Sequence, residues 1–121
     1  MTITNESELP DFDEMTEAVE KIKELSLRRA TIELTLKKEE AELVRTVTSD
    51  PKYFMGGKAP SMSYIEGAYK YTGIDNCLLP VRASLIDVTV KLECEKAKFY
   101  LMKDKLDIWR TVSANERATL L

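Results

Sequence analysis

Residues 81–109 read VRASLIDVTVKLECEKAKFYLMKDKLDIW, and this stretch decides the fold. Its apolar residues recur as Val81, Leu85, Val88, Leu92, Phe99, Met102, Leu106 and Trp109, with Glu95 alone breaking the series. Steps of three and four keep one face of an α-helix apolar. A second set is Ala83, Ile86, Val90, Cys94, Ala97, Leu101, Ile108 and Val112. It falls nearly opposite the first when successive residues are turned about 100° around the axis. One helical partner cannot cover two opposite faces. The first face therefore predicts packing within the chain, and the second needs the folded-back connector or another chain. A core of two helices is thin, which favours another chain. Ile86, Val90, Leu101, Ile108 and Val112 are the expected oligomer interface.

The rest of the fold follows outward from this helix. Proline is tolerated in a first turn, so a start within Asp75–Pro80 predicts a helix over 76–117. No glycine or proline interrupts residues 11–50, which predicts a second long helix over 11–49. Asp11 or Asp13 would cap it, and Pro51 would end it by disfavouring helical geometry in the residue before. Its apolar steps run Phe12, Met15, Val19, Ile22, after which Ser26 and Arg29 take the expected core positions. A new stripe through Leu27, Ala30, Leu34, Ala41 and Val44 then reads as a stutter in a coiled coil. Residues 1–10 are polar and read as a flexible arm, and 11–121 as one domain. The expected fold is all-α: two long antiparallel helices forming a coiled-coil-like hairpin, assembled as an oligomer.

Composition agrees with this and narrows the function. The chain has 121 residues, 44% hydrophobic and 32% charged, with four glycines and four prolines. That is a globular balance with too few turn residues for a β-sandwich or barrel. No apolar run is long enough to span a membrane or to open the chain as a secretory signal. There is no histidine. The commonest catalytic base and metal ligand are therefore missing, and no nucleophile triad or phosphate loop replaces them. The carboxylates sit beside lysines on helix surfaces, as in Glu33 with Lys37, which is how a solvated helix is supported. The reading is non-enzymatic, with no metal and no cofactor. Glu95, on the apolar stripe, is expected to pair with a basic residue across an interface. Cys77 and Cys94 lack any metal-site spacing and read as buried or incidental thiols of an intracellular, cytoplasmic protein.

Charge is uneven. Residues 1–24 carry eight acids against Lys21 and Lys23, while the whole chain is only −3. Such a segment can contact a basic partner or mask a polyanion site; equally, acids favour the start of a long helix through its dipole.

Residues 50–75, the connector, differ from both helices. They hold Gly56-Gly57, Pro60, Gly67 and Gly73 with Tyr53, Tyr64, Tyr69 and Tyr71, and a short helical turn is expected around Ser61–Tyr69. Long connections of this kind are often functional. Single-stranded nucleic acid is bound by cationic groups along the backbone and aromatic platforms under the bases. Lys52, Tyr53, Phe54 and Lys58, with Arg45 just upstream, supply both types. The alternative is that the aromatics merely close the open end of the hairpin.

Tyr53-Phe54-Met55-Gly56-Gly57-Lys58-Ala59, followed by Tyr64, resembles the aromatic, glycine and basic connector of the T4-type phage recombination mediators, the UvsY family. Lys91-Leu92-Glu93 and Phe99-Tyr100-Leu101 are similar in kind, so the resemblance spans roughly residues 30–110. It implies an all-helical ring-forming protein, in a phage-infected cell, that binds single-stranded DNA and assists a recombinase. The contacts it implies centre on Lys58, Tyr53 and Phe54. The chain departs from the family where Thr48-Ser49-Asp50-Pro51 replaces basic residues ahead of the aromatic pair, and its ending TVSANERATLL is unlike the family's. The other expectation is a structural or adaptor coiled coil, of the kind used as a phage assembly factor or inhibitor, that binds a protein and no nucleic acid.

Overall fold

A computed structural model describes residues 9–120. Every regular element in this range is helical: α1 (Phe12–Ser49), α2 (Met62–Ala68) and α3 (Leu79–Leu120), with 3-10 turns at Pro51–Tyr53 and Ile74–Asn76. The protein is all-α. Most of the 1–10 arm lies outside the described residues.

The helix ends are set by local chemistry. Asp11 caps α1, its carboxylate accepting the Glu14 amide at 2.6 Å. Asp50 ends α1 and its carboxylate accepts the Lys52 amide, opening the 3-10 turn that contains Pro51. Helix α3 starts at Leu79, with Pro80 in its first turn, three residues later than the expected start at 76, because the residues before it form a 3-10 turn broken by left-handed backbone. There Asp75 and Asn76 take positive φ values of 51° and 62°, a region that Asp and Asn tolerate better than most residues. Gly73 at φ 75° is required, since a Cβ would lie 2.7 Å from both Cys77 Sγ and Leu78 Cγ.

The chain divides into two compact units. The unit of Leu27–Thr89 has a closed core: Leu36, Leu43 and Val47 of α1 meet Ile65 of α2 and Leu78. Val44, Tyr53, Tyr69, Ile74, Val81 and Leu85 pack around that cluster. Val47 is 0% exposed. The connector is therefore a third layer over two helices.

In the unit of Met1–Ser26 with Val90–Leu121, no such layer is seen among the described residues. Among its described residues Ala18 and Leu92 are buried, while Met15, Ile22, Leu25, Phe99, Met102, Leu106 and Trp109 are half-covered. A shallow cleft of about 330 Å³ lies between Leu9, Pro10 and Glu14 on one side and Lys98, Leu101, Met102 and Lys105 on the other.

The covered row of α1 differs from the expected one. It runs Met15, Ala18, Ile22, Leu25, Arg29, Ile32, Leu36, Glu39, Leu43, which is an unbroken alternation of three and four, and then Val47. There is no stutter. Phe12, Val19, Leu27 and Leu34 are exposed, Phe12 at 82% and Leu34 at 69%. The physical reason is that Arg29 and Glu39 occupy covered positions in phase. Charges there look like a slip in the sequence, yet long side chains can lie along a seam with their heads at its edge. Arg29 does this, its Nε donating to Glu33 at 3.2 Å. Glu33 thus pairs with Arg29 and not with Lys37.

Candidate functional site

The connector is not a structureless link. After the 3-10 turn, Met55 and Lys58 exchange backbone hydrogen bonds of 2.8 and 3.2 Å around Gly56 and Gly57. Both glycines have positive φ, 58° and 78°, as a tight two-residue turn requires. Ser61 then caps α2 through the Tyr64 amide, and Gly73 bonds back to the Tyr69 carbonyl at 2.7 Å. Local backbone and capping bonds of this sort order a segment too short for a core of its own.

This order redistributes the predicted contact residues. Tyr53 is half-buried and packs on the core cluster, its ring edge-on to Tyr69 with centroids 6.4 Å apart. Tyr64 continues that row of rings, 6.2 Å from Tyr69. Lys52 Nζ sits 5.6 Å from the centre of the Tyr53 ring. Phe54 is half-buried, and its amide is tied to the Pro51 carbonyl. Lys52 and Tyr53 are therefore brought together, but the face of Tyr53 is shared between a lysine and the core. Lys58 is exposed at the tight turn, and Arg45 is exposed on the last turns of α1 beside Glu42, Thr46 and Ser49. Among the described residues neither Lys58 nor Arg45 has an acidic partner. The open rings are Tyr64 and Tyr71, the latter 63% exposed.

Four of the five predicted interface residues are exposed on α3, namely Ile86, Val90, Leu101 and Ile108, with Leu101 at 57%; Val112 is not, being half-covered. Within the unit holding Val90–Leu121, Val90, Leu101 and Ile108 leave a set of apolar side chains open, flanked by Ala97 and Tyr100. Glu95, in contrast, is largely covered, and its carboxylate pairs with Lys98 one turn along the same helix at 3.3 Å. Its partner thus comes from its own helix. Cys77 and Cys94 are free thiols and both are exposed, so neither is buried.

One constellation escaped the sequence reading. Arg82, in the first turns of α3, donates Nε to the Tyr71 carbonyl at 2.7 Å and Nη2 to the Lys70 carbonyl at 2.6 Å. The same Nη2 reaches Glu40 Oε1 on α1 at 3.1 Å, and the guanidinium lies 4.8 Å from the centre of the Tyr71 ring. Sequence offers no signal for this, because Arg82 and Glu40 stand 42 residues apart. Beside it, Glu40 and Lys70 also line a cleft of about 110 Å³ floored by Leu43, Val44, Met62 and Ile65.

Among the described residues, no helix is long and apolar enough to cross a membrane, and no three His, Cys, Asp or Glu side chains converge. Comparison with known proteins finds no family model, no curated protein and no solved structure that matches this chain.

Proposed function

We propose that this chain is a non-enzymatic helical assembly or adaptor protein. In it α1 and α3 pair antiparallel as a hairpin, and the outer face of α3 docks protein, first of all further copies of the chain. The observation that carries this reading is the exposure of Val90, Leu101 and Ile108 on the same helix that covers Leu92. Covering a large aliphatic side chain gains about 1.5–3 kcal/mol when it starts fully exposed, and less from half exposure. Association costs on the order of 4 kcal/mol or more, so several such residues must be covered together. Phe12 and Val19 on α1 extend the available area within the same unit.

Sedimentation equilibrium tests this. The wild-type chain should sediment well above its 13.8 kDa, and Leu101→Asp should yield a smaller species with the same helical circular dichroism. An unchanged mass in Leu101→Asp would remove the outer face of α3 from the assembly.

A second reading is a DNA-recombination accessory protein that binds single-stranded DNA and assists a recombinase. It is supported by one feature, the exposed Arg45 and Lys58, neither in an ion pair among the described residues, in a unit that also opens Tyr64 and Tyr71 to solvent. Stacking would then fall to Tyr64 and Tyr71 more than to Tyr53 and Phe54, whose rings are partly committed to packing. Fluorescence anisotropy with a labelled single-stranded oligonucleotide should show binding that weakens steeply with salt and drops in Lys58→Ala. No binding at low salt would leave only the protein-docking reading.

A further inference from the structure

We propose that Arg82 is a latch, and that the strap Met62–Leu78 opens and closes over the helices of its unit as one piece when that latch is released. The strap is self-contained in its local bonding: Ser61 caps α2, Tyr69 bonds to Ile65, Gly73 to Tyr69, and Leu78 to Thr72. Its one α-helix has seven residues, too few to hold those bonds in water without the packing beneath, so they open together as one cooperative unit when the strap leaves the helices. What fastens it is different in kind. Ile65 and Leu78 enter the core, and Arg82 binds two successive carbonyls, Lys70 and Tyr71, just past the end of α2. Carbonyls in an irregular stretch have no helical partner and take their hydrogen bonds from side chains or water.

The geometry demands an arginine. A planar guanidinium can serve two carbonyls and a carboxylate at once while lying near the Tyr71 ring. A lysine ammonium offers its three donors from one atom, with no rigid fork to span the two carbonyls and no plane to lie near the ring. The ion pairs Lys21–Glu17, Arg29–Glu33, Lys96–Glu93, Lys98–Glu95 and Arg110–Asp107 each join residues one turn apart, whereas Arg82–Glu40 links two helices. It is also better shielded, with the Arg82 side chain 20% exposed and that of Glu40 32%. The latch thus connects three pieces, α1, α3 and the strap, through one side chain. Its release would bare Ile65 and Leu78 and widen the small cleft that Glu40 and Lys70 border.

Hydrogen exchange read by mass spectrometry on the full-length chain tests this. In Arg82→Met the amides of Tyr69, Gly73 and Leu78 should exchange about ten-fold faster or more, while those of Leu36–Val47 in α1 keep their protection. Arg82→Lys should behave like Arg82→Met, because the fork is lost. Glu40→Gln, which removes one charge and leaves both carbonyl bonds, should give a smaller acceleration confined to the same amides. Equal acceleration in α1 and in the strap would overturn the proposal, since Arg82 would then stabilise the unit as a whole. Unchanged exchange in Arg82→Met, or full protection in Arg82→Lys, would overturn it as well.

Discussion

The two units use the same pair of helices and reach different degrees of closure. In Leu27–Thr89 the connector lies over α1 and α3, and Val47, Ile65 and Leu78 of the cluster it closes are at 2% exposure or less. Among the described residues of the unit of Met1–Ser26 and Val90–Leu121 no third layer is seen, and only Ala18 and Leu92 are buried. The difference teaches that two amphipathic helices suffice to define a seam but not to enclose a core. An element on a third side is needed. Under the connector Val47, Ile65 and Leu78 leave the surface, while Leu27, Leu34 and Ile86 of the same unit, which face away from it, stay exposed, as do Phe12, Val90, Leu101 and Ile108 of the other unit.

This contrast can be broken by substitution. The largest effect is expected for Leu92→Asp, which buries an unpaired charge in the seam and should cost about 4 kcal/mol or more, read as loss of the cooperative urea transition. Ile65→Ala should follow, at about 3 kcal/mol by chemical denaturation, because a 2%-exposed side chain leaves a cavity the strap cannot fill. Phe99→Ala, at a half-covered position, should cost clearly less than Ile65→Ala in the dissociated chain. If the two cost the same at low concentration, the seam of the open unit is packed as tightly as the closed one and the contrast fails.

Smaller changes sharpen the comparison. Gly73→Ala should destabilise by about 1–3 kcal/mol, since both the positive φ and the 2.7 Å approach to Cys77 and Leu78 penalise a methyl group. Ile108→Ser, at an exposed site, should change the stability of the isolated chain by less than about 0.5 kcal/mol, while shifting sedimentation toward smaller species.

Much of the fold was legible, and the reason is periodicity. The stripe from Val81 to Trp109 marks a helix face by itself, and every member of it is buried or half-covered. The absence of glycine and proline across residues 11–50 makes a long helix there the simplest reading, and α1 runs Phe12–Ser49. The face of α1 was not legible. That helix carries two apolar rows, one through Leu25, Ile32 and Leu36 and the other through Leu27, Ala30 and Leu34, and spacing alone does not choose between them. Arg29 and Glu39 in the covered row made the wrong one look better. The candidate contact residues fared similarly. Composition offers Tyr53 and Phe54 as rings free for stacking, but a ring's availability depends on what lies against it: Tyr53 packs on the core cluster and Phe54 is half-buried.

The sequence alone determined the all-α class, because hydrophobic periodicity and the placement of Gly and Pro act locally through backbone geometry. It also determined that α3 carries two opposed apolar faces, whichever is covered. Only the tertiary structure decided which row of α1 is buried, that the connector closes one unit as an ordered layer, and that Arg82 joins Glu40 to the carbonyls of Lys70 and Tyr71. Those outcomes rest on contacts between residues distant in the chain, and the energy that selects them exists only once the elements meet.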